Sequence, residues 1–219
     1  MNSTEAKVGF WAATLSAIFS LLWFITFNLK DVFQAVPNWK DLQAYAEAFH
    51  VVRLSYLYPS LLLVLTYNIM LACIHRVVSE EKKIWSLIAL SIGIIYGGMS
   101  SISYNIQVVA VRLSLAAGET NGIEMFIPDN LNGIFNALSN SYGYMAISMF
   151  FLGFIFLKGK QERWIKWMLL AQMLTAFGHI GYSMFDMNMV AFMVVSMVWV
   201  IGAPAAFILL ALWFKRQIA

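Results

Sequence analysis

The stretch Met189 to Phe214 reads MVAFMVVSMVWVIGAPAAFILLALWF and contains no charged side chain. Lys215 and Arg216 follow it directly. At about 1.5 Å of rise per residue, a helix of this length exceeds the roughly 30 Å thickness of a bilayer's hydrocarbon core. An uncharged run of this length with a basic end predicts a transmembrane helix.

The rest of the chain has a similar composition. Of its 219 residues, 61% are hydrophobic and only 11% are charged, whereas soluble domains are about half apolar and a quarter charged. Apolar runs cover residues 8–28, 56–78, 84–111, 138–157, 164–185 and 189–214. Each run is continuously apolar, whereas a barrel strand alternates over about ten residues. The sequence therefore predicts an all-α integral membrane protein, in which residues 1–219 form a single bundle of six transmembrane helices.

Lysine and arginine residues indicate the orientation of this bundle. With a cytoplasmic N-terminus, the inner segments contain Lys7, Arg76, Lys82, Lys83, Lys158, Lys160, Arg163, Lys166, Lys215 and Arg216. The outer segments contain Lys30, Lys40, Arg53 and Arg112. Cytoplasmic loops are enriched in these residues, so both ends are expected in the cytoplasm. The expected location is the plasma (inner) membrane of a prokaryote. The net charge of +3 comes from basic residues near the ends of the apolar runs, so we do not expect nucleic-acid binding.

Two outer connections are long, and each contains a predicted helix. In the first, an apolar side predicts an amphipathic helix that begins after Pro37 and Asn38 and lies on the membrane surface or caps the bundle. That side consists of Trp39, Leu42, Tyr45, Ala46 and Phe49. In the second, a turn at Pro128 precedes a short predicted helix around residues 131–138. Together the two connections are expected to cover the outer face.

Polar side chains within the spans concentrate in the outer halves, and the inner halves are almost pure hydrocarbon. Because polar groups at membrane depth face the bundle or water, this distribution predicts an outward-facing polar pocket between the third, fourth and fifth spans. The residues assigned to this pocket are Ser101, Tyr104, Asn105, Asn140, Tyr144, Gln172, Thr175, His179, Tyr182 and Asp186. The alternative explanation is interhelical hydrogen bonding with a headgroup-level belt of tyrosines.

The fifth span has the sharpest pattern. Polar residues recur there at steps of three and four from Gln172 through His179 to Asp186, so they share one face of a helix. His179 is the only histidine well within a span, and an intramembrane ionisable residue is a candidate ligand anchor, proton acceptor or metal ligand. Its alternative role is structural, with Asn105 or Tyr104 as the hydrogen-bond partner.

Several other sequence features are better explained by helix packing than by a metal or catalytic site. Gly93 and Gly97 have the spacing that allows helices to approach closely, and Pro204 is expected to kink the last helix. The lone Cys73 excludes a multi-cysteine metal site. The methionines of MFDMNMVAFMVVSM suit Cu(I), but methionine is also an adaptable packing residue in lipid. No metal site is therefore predicted, and the sequence does not specify a cofactor.

No established catalytic motif occurs in the chain. We therefore expect a protein that binds or transports a small neutral or amphipathic molecule in the outer pocket. Two alternatives stay open. One is an intramembrane enzyme that acts on a lipid or lipophilic substrate with His179 as acid or base. The other is a sensor or accessory subunit that binds partner helices. The expected partners are the lipid bilayer, the ligand, and further copies of the chain or another membrane subunit.

Overall fold

The computed structural model describes residues 3–33, 40–128, 130, 133–156, 159–185 and 188–218. Over these residues the chain is helical and contains no strand. The α-helices are α1 (Ser3–Phe33), α2 (Leu42–Ala48), α3 (Leu57–Val77), α4 (Lys83–Asn105), α5 (Arg112–Ala116), α6 (Ile134–Ser139), α7 (Ser141–Gly153), α8 (Lys160–Met184) and α9 (Met189–Ile218). Short 3₁₀ turns cover Val51–Leu54, Glu80–Lys82 and Glu124–Phe126. The prediction of an all-helical fold is confirmed.

Six of these helices form a closed ring that follows the order of the chain. Helix α1 packs on α3, α3 on α4, α4 on α7, α7 on α8, α8 on α9, and α9 packs back on α1. Neighbours in the ring run in opposite directions. The described parts of the long connections therefore lie at one end of the ring, called here the loop end, and the start of α1, the end of α9 and the α3–α4 connection lie at the other.

Four helical segments among the described residues are long and apolar enough to cross a membrane. They are Thr4–Lys30, Val51–Val77, Glu80–Ala116 and Met189–Ile218. Helix α7 has only 13 residues, and α8 begins with the polar turn KQER. Neither of these two helices is in the set of four.

Small residues let the helices of the ring approach closely. Gly9 on α1 lies against the ring of Phe214 on α9, and a Cβ at Gly9 would lie 2.3 Å from the Phe214 Cε1 atom. On α4, a Cβ at Gly93 would lie 2.4 Å from a methyl carbon of Leu71 on α3. A Cβ at Gly97 would lie 2.7 Å from the Asn68 amide nitrogen. The close approach that the spacing of Gly93 and Gly97 predicts is thus found within the chain, between α3 and α4.

The long connections form a cap at the loop end. The predicted helix of the first connection is present as α2, and the Asp41 carboxylate caps it by accepting a 2.8 Å hydrogen bond from the Ala44 N–H. Trp39 lies outside the described residues. Tyr45 of α2 packs in one apolar cluster with Val111, Ile123 and Ile127, so both connections cover the same helix end. Helix α6 is the short helix expected in the second connection.

The continuation of α4 beyond the ring supports this cap. A π-helical segment, Ile106–Val111, joins α4 to α5. Gln107 is fully buried in that segment, and its side-chain amide donates to the Phe126 carbonyl oxygen. Arg53 lies over the Tyr45 ring, with 4.8 Å between the guanidinium carbon and the ring centroid. Polar contacts thus hold the cap together with its apolar cluster.

The contact between Gly9 and Phe214 gives a stability prediction for the closure of the ring. Gly9→Ala places a methyl group where the Phe214 ring lies, so we expect a loss of about 1 to 3 kcal/mol in the free energy of unfolding, as overpacking of a core costs. The matched control is Gly98→Ala on α4, where no atom lies within 4 Å of the added Cβ. This control should be neutral or slightly stabilising, because alanine favours helix. Equilibrium unfolding in mixed micelles measures both variants, and equal stabilities would contradict the closure of α1 on α9.

Candidate functional site

Aromatic side chains from four helices contact Tyr142 in the first turn of α7. Its ring centroid lies 5.9 Å from that of Trp23 on α1 and 5.9 Å from that of Tyr96 on α4. The corresponding distances are 6.2 Å to His179 on α8 and 5.2 Å to Trp199 on α9. The Tyr104 hydroxyl on α4 donates a 2.9 Å hydrogen bond to the Tyr142 hydroxyl. We call the residues Trp23, Tyr96, Tyr104, Tyr142, His179 and Trp199 the Tyr142 cluster.

The rings of this cluster meet in favourable geometries. Trp199 is perpendicular to Tyr142 at 82° and to Trp23 at 89°, with 5.1 Å between the two indole centroids. Edge-to-face contacts of this kind are worth roughly 0.5 to 1.5 kcal/mol beyond their buried area. The contact between Trp23 and Trp199 also joins α1 to α9, where the ring of helices closes.

His179 is positioned by α7 on one side and α9 on the other. Gly143 follows Tyr142, and a Cβ there would lie 3.2 Å from the His179 Cβ, so the glycine permits this close approach of α7 and α8. The imidazole is nearly parallel to the Tyr142 ring, at 21°. Its other contact is with Phe192 of α9, perpendicular at 89° with 5.1 Å between centroids. His179 is therefore held between aromatic rings and is partly buried.

Side-chain hydrogen bonds join α4 to α7 along a line that begins in the cluster, at Tyr142, and is called here a seam. Ser148 donates to the Ala89 carbonyl oxygen (2.6 Å), Ser100 and Ser141 share a hydrogen bond (2.7 Å), and Tyr104 donates to Tyr142 (2.9 Å). The Tyr67 hydroxyl of α3 joins this seam by donating to the Ser148 hydroxyl at 2.8 Å. The polar groups of this seam therefore find their partners inside the ring.

The polar stripe of α8 forms a second seam, with α9. The Gln172 amide donates to the Val198 carbonyl oxygen, and the Thr175 hydroxyl donates to the Val195 carbonyl oxygen, each at 3.3 Å. Both side chains are fully buried. For Gln172 and Thr175 the structure therefore shows interhelical hydrogen bonding, which is the alternative explanation that the sequence left open.

Trp199 gives the cluster a buried hydrogen-bond donor without a protein acceptor. Its side chain is 4% exposed, and its indole N–H donates to no atom of the described residues. Leaving a buried polar group unpaired costs about 1 to 3 kcal/mol, so most such groups have a protein, water or ligand partner. The indole N–H is therefore a buried donor that has no acceptor among the described residues.

The structure brings some of the predicted pocket residues together. Tyr104 and His179 belong to the Tyr142 cluster. Tyr182 lies next to it, because its ring stacks on Phe192 at 4.7 Å between centroids. Asn140 is partly buried at the N-cap position of α7, two residues before Tyr142.

Other predicted residues lie apart from the cluster. Asn105 is exposed and its amide donates to the Ser101 carbonyl oxygen of its own helix at 2.8 Å, while the Ser101 side chain is partly exposed. Tyr144 is 39% exposed. Two residues along a helix differ by about 200° in direction, so Tyr144 faces away from the side that Tyr142 occupies. Asp186 lies outside the described residues.

Sequence reasoning missed most of the cluster. Trp23, Tyr96, Tyr142 and Trp199 lie within apolar runs, and aromatic residues in such runs are usually packing residues. One signal was available: each of these runs carries a large aromatic residue in the part nearer the long connections. Using that signal requires knowing which face of each helix points inward, which a continuously apolar run does not show.

The chemistry of the cluster is that of an uncharged aromatic site. Its polar groups are hydroxyls, indole N–H groups and one imidazole, and it includes no carboxylate. Within the part of the chain that the structure describes, no group of three or more His, Cys, Asp or Glu side chains is placed to hold a metal ion. Comparisons of the chain with family models, curated proteins and solved structures found no match.

The central position of Tyr142 gives a graded prediction. Tyr142→Ala leaves a cavity among the surrounding rings and should lower the free energy of unfolding by about 3 to 5 kcal/mol. Tyr142→Phe keeps the ring and loses the hydrogen bond from Tyr104. It should lower the free energy of unfolding by about 1 kcal/mol.

Tyr144→Ala is the matched control on the same helix, and it should cost less than Tyr142→Ala because Tyr144 is 39% exposed and does not belong to the cluster. Unfolding in mixed micelles, followed by tryptophan fluorescence, measures the three variants. A Tyr144→Ala effect as large as that of Tyr142→Ala would contradict the assignment of Tyr142 as the centre.

Proposed function

We propose that this protein crosses a membrane six times, with α1, α3, α4, α7, α8 and α9 as its spans and both chain ends in the cytoplasm. The four apolar segments supply α1, α3, α4 and α9. The proposal adds α7 and α8, which complete the ring between α4 and α9. Lys83, Lys160, Lys215 and Arg216 lie at the end of the ring opposite the long connections, and a basic end of this kind favours the cytoplasmic side.

Helix α7 is long enough when its neighbours are included. Helix α6 ends at Ser139 and α7 begins at Ser141, and backbone hydrogen bonds bridge Asn140 between them. After Gly153, three further turn bonds carry the chain to Phe156. In the proposed span, α6, α7 and the turns after Gly153 follow one another along the membrane normal; at about 1.5 Å per residue, the range 134–156 would then extend roughly 34 Å, which is enough for a bilayer core.

Helix α8 has polar groups on its inner side and apolar groups on its outer side. The buried Gln172 and Thr175 lower its mean hydropathy, but both bond to α9. Trp167, Leu174 and Phe177 are more than half exposed on the outside of the ring. An apolar outer face, with polar side chains that donate hydrogen bonds to a neighbouring helix, suits a helix in lipid.

Within this bundle, the Tyr142 cluster is the proposed binding site for a small neutral or amphipathic molecule, which the protein binds or transports. The observation that carries this proposal is the buried Trp199 indole N–H, which finds no acceptor among the described residues. Its neighbours are aromatic faces and hydroxyl groups. The ligand that fits therefore presents a hydrogen-bond acceptor, such as a carbonyl or hydroxyl oxygen, and an apolar or flat body.

Thermal stabilisation of the purified protein by a panel of uncharged compounds with an acceptor group tests this site. We propose phenol, benzamide, indole-3-carboxaldehyde and N-acetyltyramine as the panel. At least one compound should raise the unfolding temperature of the wild type. Trp199→Phe removes the donor and keeps an aromatic ring, and His179→Ala removes one wall, so both should lose about tenfold or more in affinity.

The matched control is Asn105→Ala on α4, because the Asn105 amide bonds only to its own helix in the structure. Its affinity should equal that of the wild type. Proteoliposome flux of the same compound separates transport from binding, and chemical conversion of the compound that depends on His179 would favour the enzyme alternative. Stabilisation that persists unchanged in Trp199→Phe and His179→Ala would remove the Tyr142 cluster from ligand binding.

A further inference from the structure

A second feature lies on the outside of the ring, where α9 packs on α8. An open groove of about 360 Å³ runs between α8 and α9. Its walls are apolar and include Met168 of α8 and Val194, Met197 and Ile201 of α9. The side chains of Val194 and Ile201 are 65% and 72% exposed, so the groove opens to the surroundings of the protein.

One polar side chain lies on the floor of this groove. Gln172 lines it together with Gly202, and a Cβ at Gly202 would lie 2.6 Å from the Gln172 Nε2 atom. Because Gly202 has no side chain, the Gln172 carboxamide can lie directly against it. Gln172 is fully buried.

The hydrogen bonds of Gln172 show which of its polar atoms is available to a ligand. Its Nε2 atom donates to the carbonyl oxygens of Met168 and Val198, each at 3.3 Å. The two acceptors are carbonyl oxygens, so the amide atom that faces them is the nitrogen, and both of its N–H groups donate. The Oε1 atom accepts no hydrogen bond from any described residue. The one polar residue that lines this apolar groove thus has an acceptor atom without a hydrogen-bond partner among the described residues.

The depth of Gln172 decides whether water can supply the missing donor. This step rests on the proposed six-span arrangement, in which Gln172 and Gly202 lie near the middle of α8 and α9. Gln161 makes the same kind of bond, to the Leu209 carbonyl oxygen at 3.0 Å, and its Oε1 atom also has no described partner. Gln161 is in the first turn of α8, about 16 Å from Gln172 along the helix, and in the proposed arrangement it lies near the cytoplasmic membrane surface. In the same arrangement Gln172 lies at the depth of the hydrocarbon core.

We propose that this groove binds a lipophilic molecule dissolved in the membrane that carries a hydroxyl group, with the hydroxyl donating to Gln172 Oε1 and the chain lying against Val194 and Ile201. The groove has the volume of a small-molecule site, whereas a helix is about 10 to 12 Å wide. Phospholipid headgroups lie about 15 Å from the bilayer centre, so their donors do not reach this depth. Long-chain and isoprenoid alcohols have the required chemistry.

Photolabelling in phosphatidylcholine nanodiscs tests this proposal. The probe is hexadecanol with a diazirine in its chain, and its methyl ether is the control that lacks only the donor. After irradiation, mass spectrometry maps the labelled peptides of the full chain. We expect the alcohol to label the α9 segment around Val194 and Ile201 about fivefold more than the ether, as one added hydrogen bond predicts.

Three variants make the test specific. Gln172→Leu removes the acceptor and should reduce labelling by the alcohol to the level of the ether. Val194→Trp fills the groove from its exposed rim without entering the core, so it should block both probes. Gln161→Leu removes the equivalent bond at the end of the same helix and should leave labelling unchanged.

Two results would contradict the proposal. Equal labelling by alcohol and ether in the wild type overturns the proposal, and so does undiminished labelling of Gln172→Leu by the alcohol. His179→Ala lies in the Tyr142 cluster and not in the groove, so it should retain wild-type labelling. A failure of the Tyr142 cluster as a binding site therefore leaves this test unaffected.

Discussion

The Tyr142 side chain contacts aromatic rings from α1, α4, α8 and α9 and accepts a hydrogen bond from Tyr104. Helices that are distant in sequence meet at this one residue, and the perpendicular contact of Trp23 with Trp199 closes the ring beside it. Lipid provides little hydrophobic driving force between helices, so packing and interhelical hydrogen bonds decide which helices associate. The position of the proposed ligand site follows from the same contacts.

The hydrogen-bonded seams explain how a chain with these polar residues suits lipid. Ser100, Ser141 and Ser148 are buried between α4 and α7, and Gln172 and Thr175 are buried between α8 and α9. Interhelical hydrogen bonds in membranes average about 0.6 kcal/mol, so each seam is a modest source of stability. Their larger effect is to remove the cost of unpaired polar groups. A helix of low mean hydropathy, such as α8, thereby becomes compatible with hydrocarbon.

Composition and periodicity predicted the helical fold, the close approach at Gly93 and Gly97, and a helix in the first long connection. These features depend on local sequence alone. The centre of the cluster was not predicted, because a continuously apolar run does not show which face of Tyr142 or Trp199 points inward. The same uncertainty about faces explains why the prediction grouped Asn105 and Tyr144 with His179, whereas the structure places both of them on exposed surfaces.

The central claim is that α7 and α8 cross the membrane, with Gln172, Thr175 and Ser148 forming hydrogen bonds inside the ring. The most direct test replaces the buried Cys73 by serine and introduces single cysteines at the exposed positions Glu81, Glu119, Lys160 and Asn188. A membrane-impermeant maleimide added to intact cells should label the cysteines at 119 and 188, and those at 81 and 160 only after permeabilisation. Labelling at position 160 from outside, equal to that at 119, would contradict the claim.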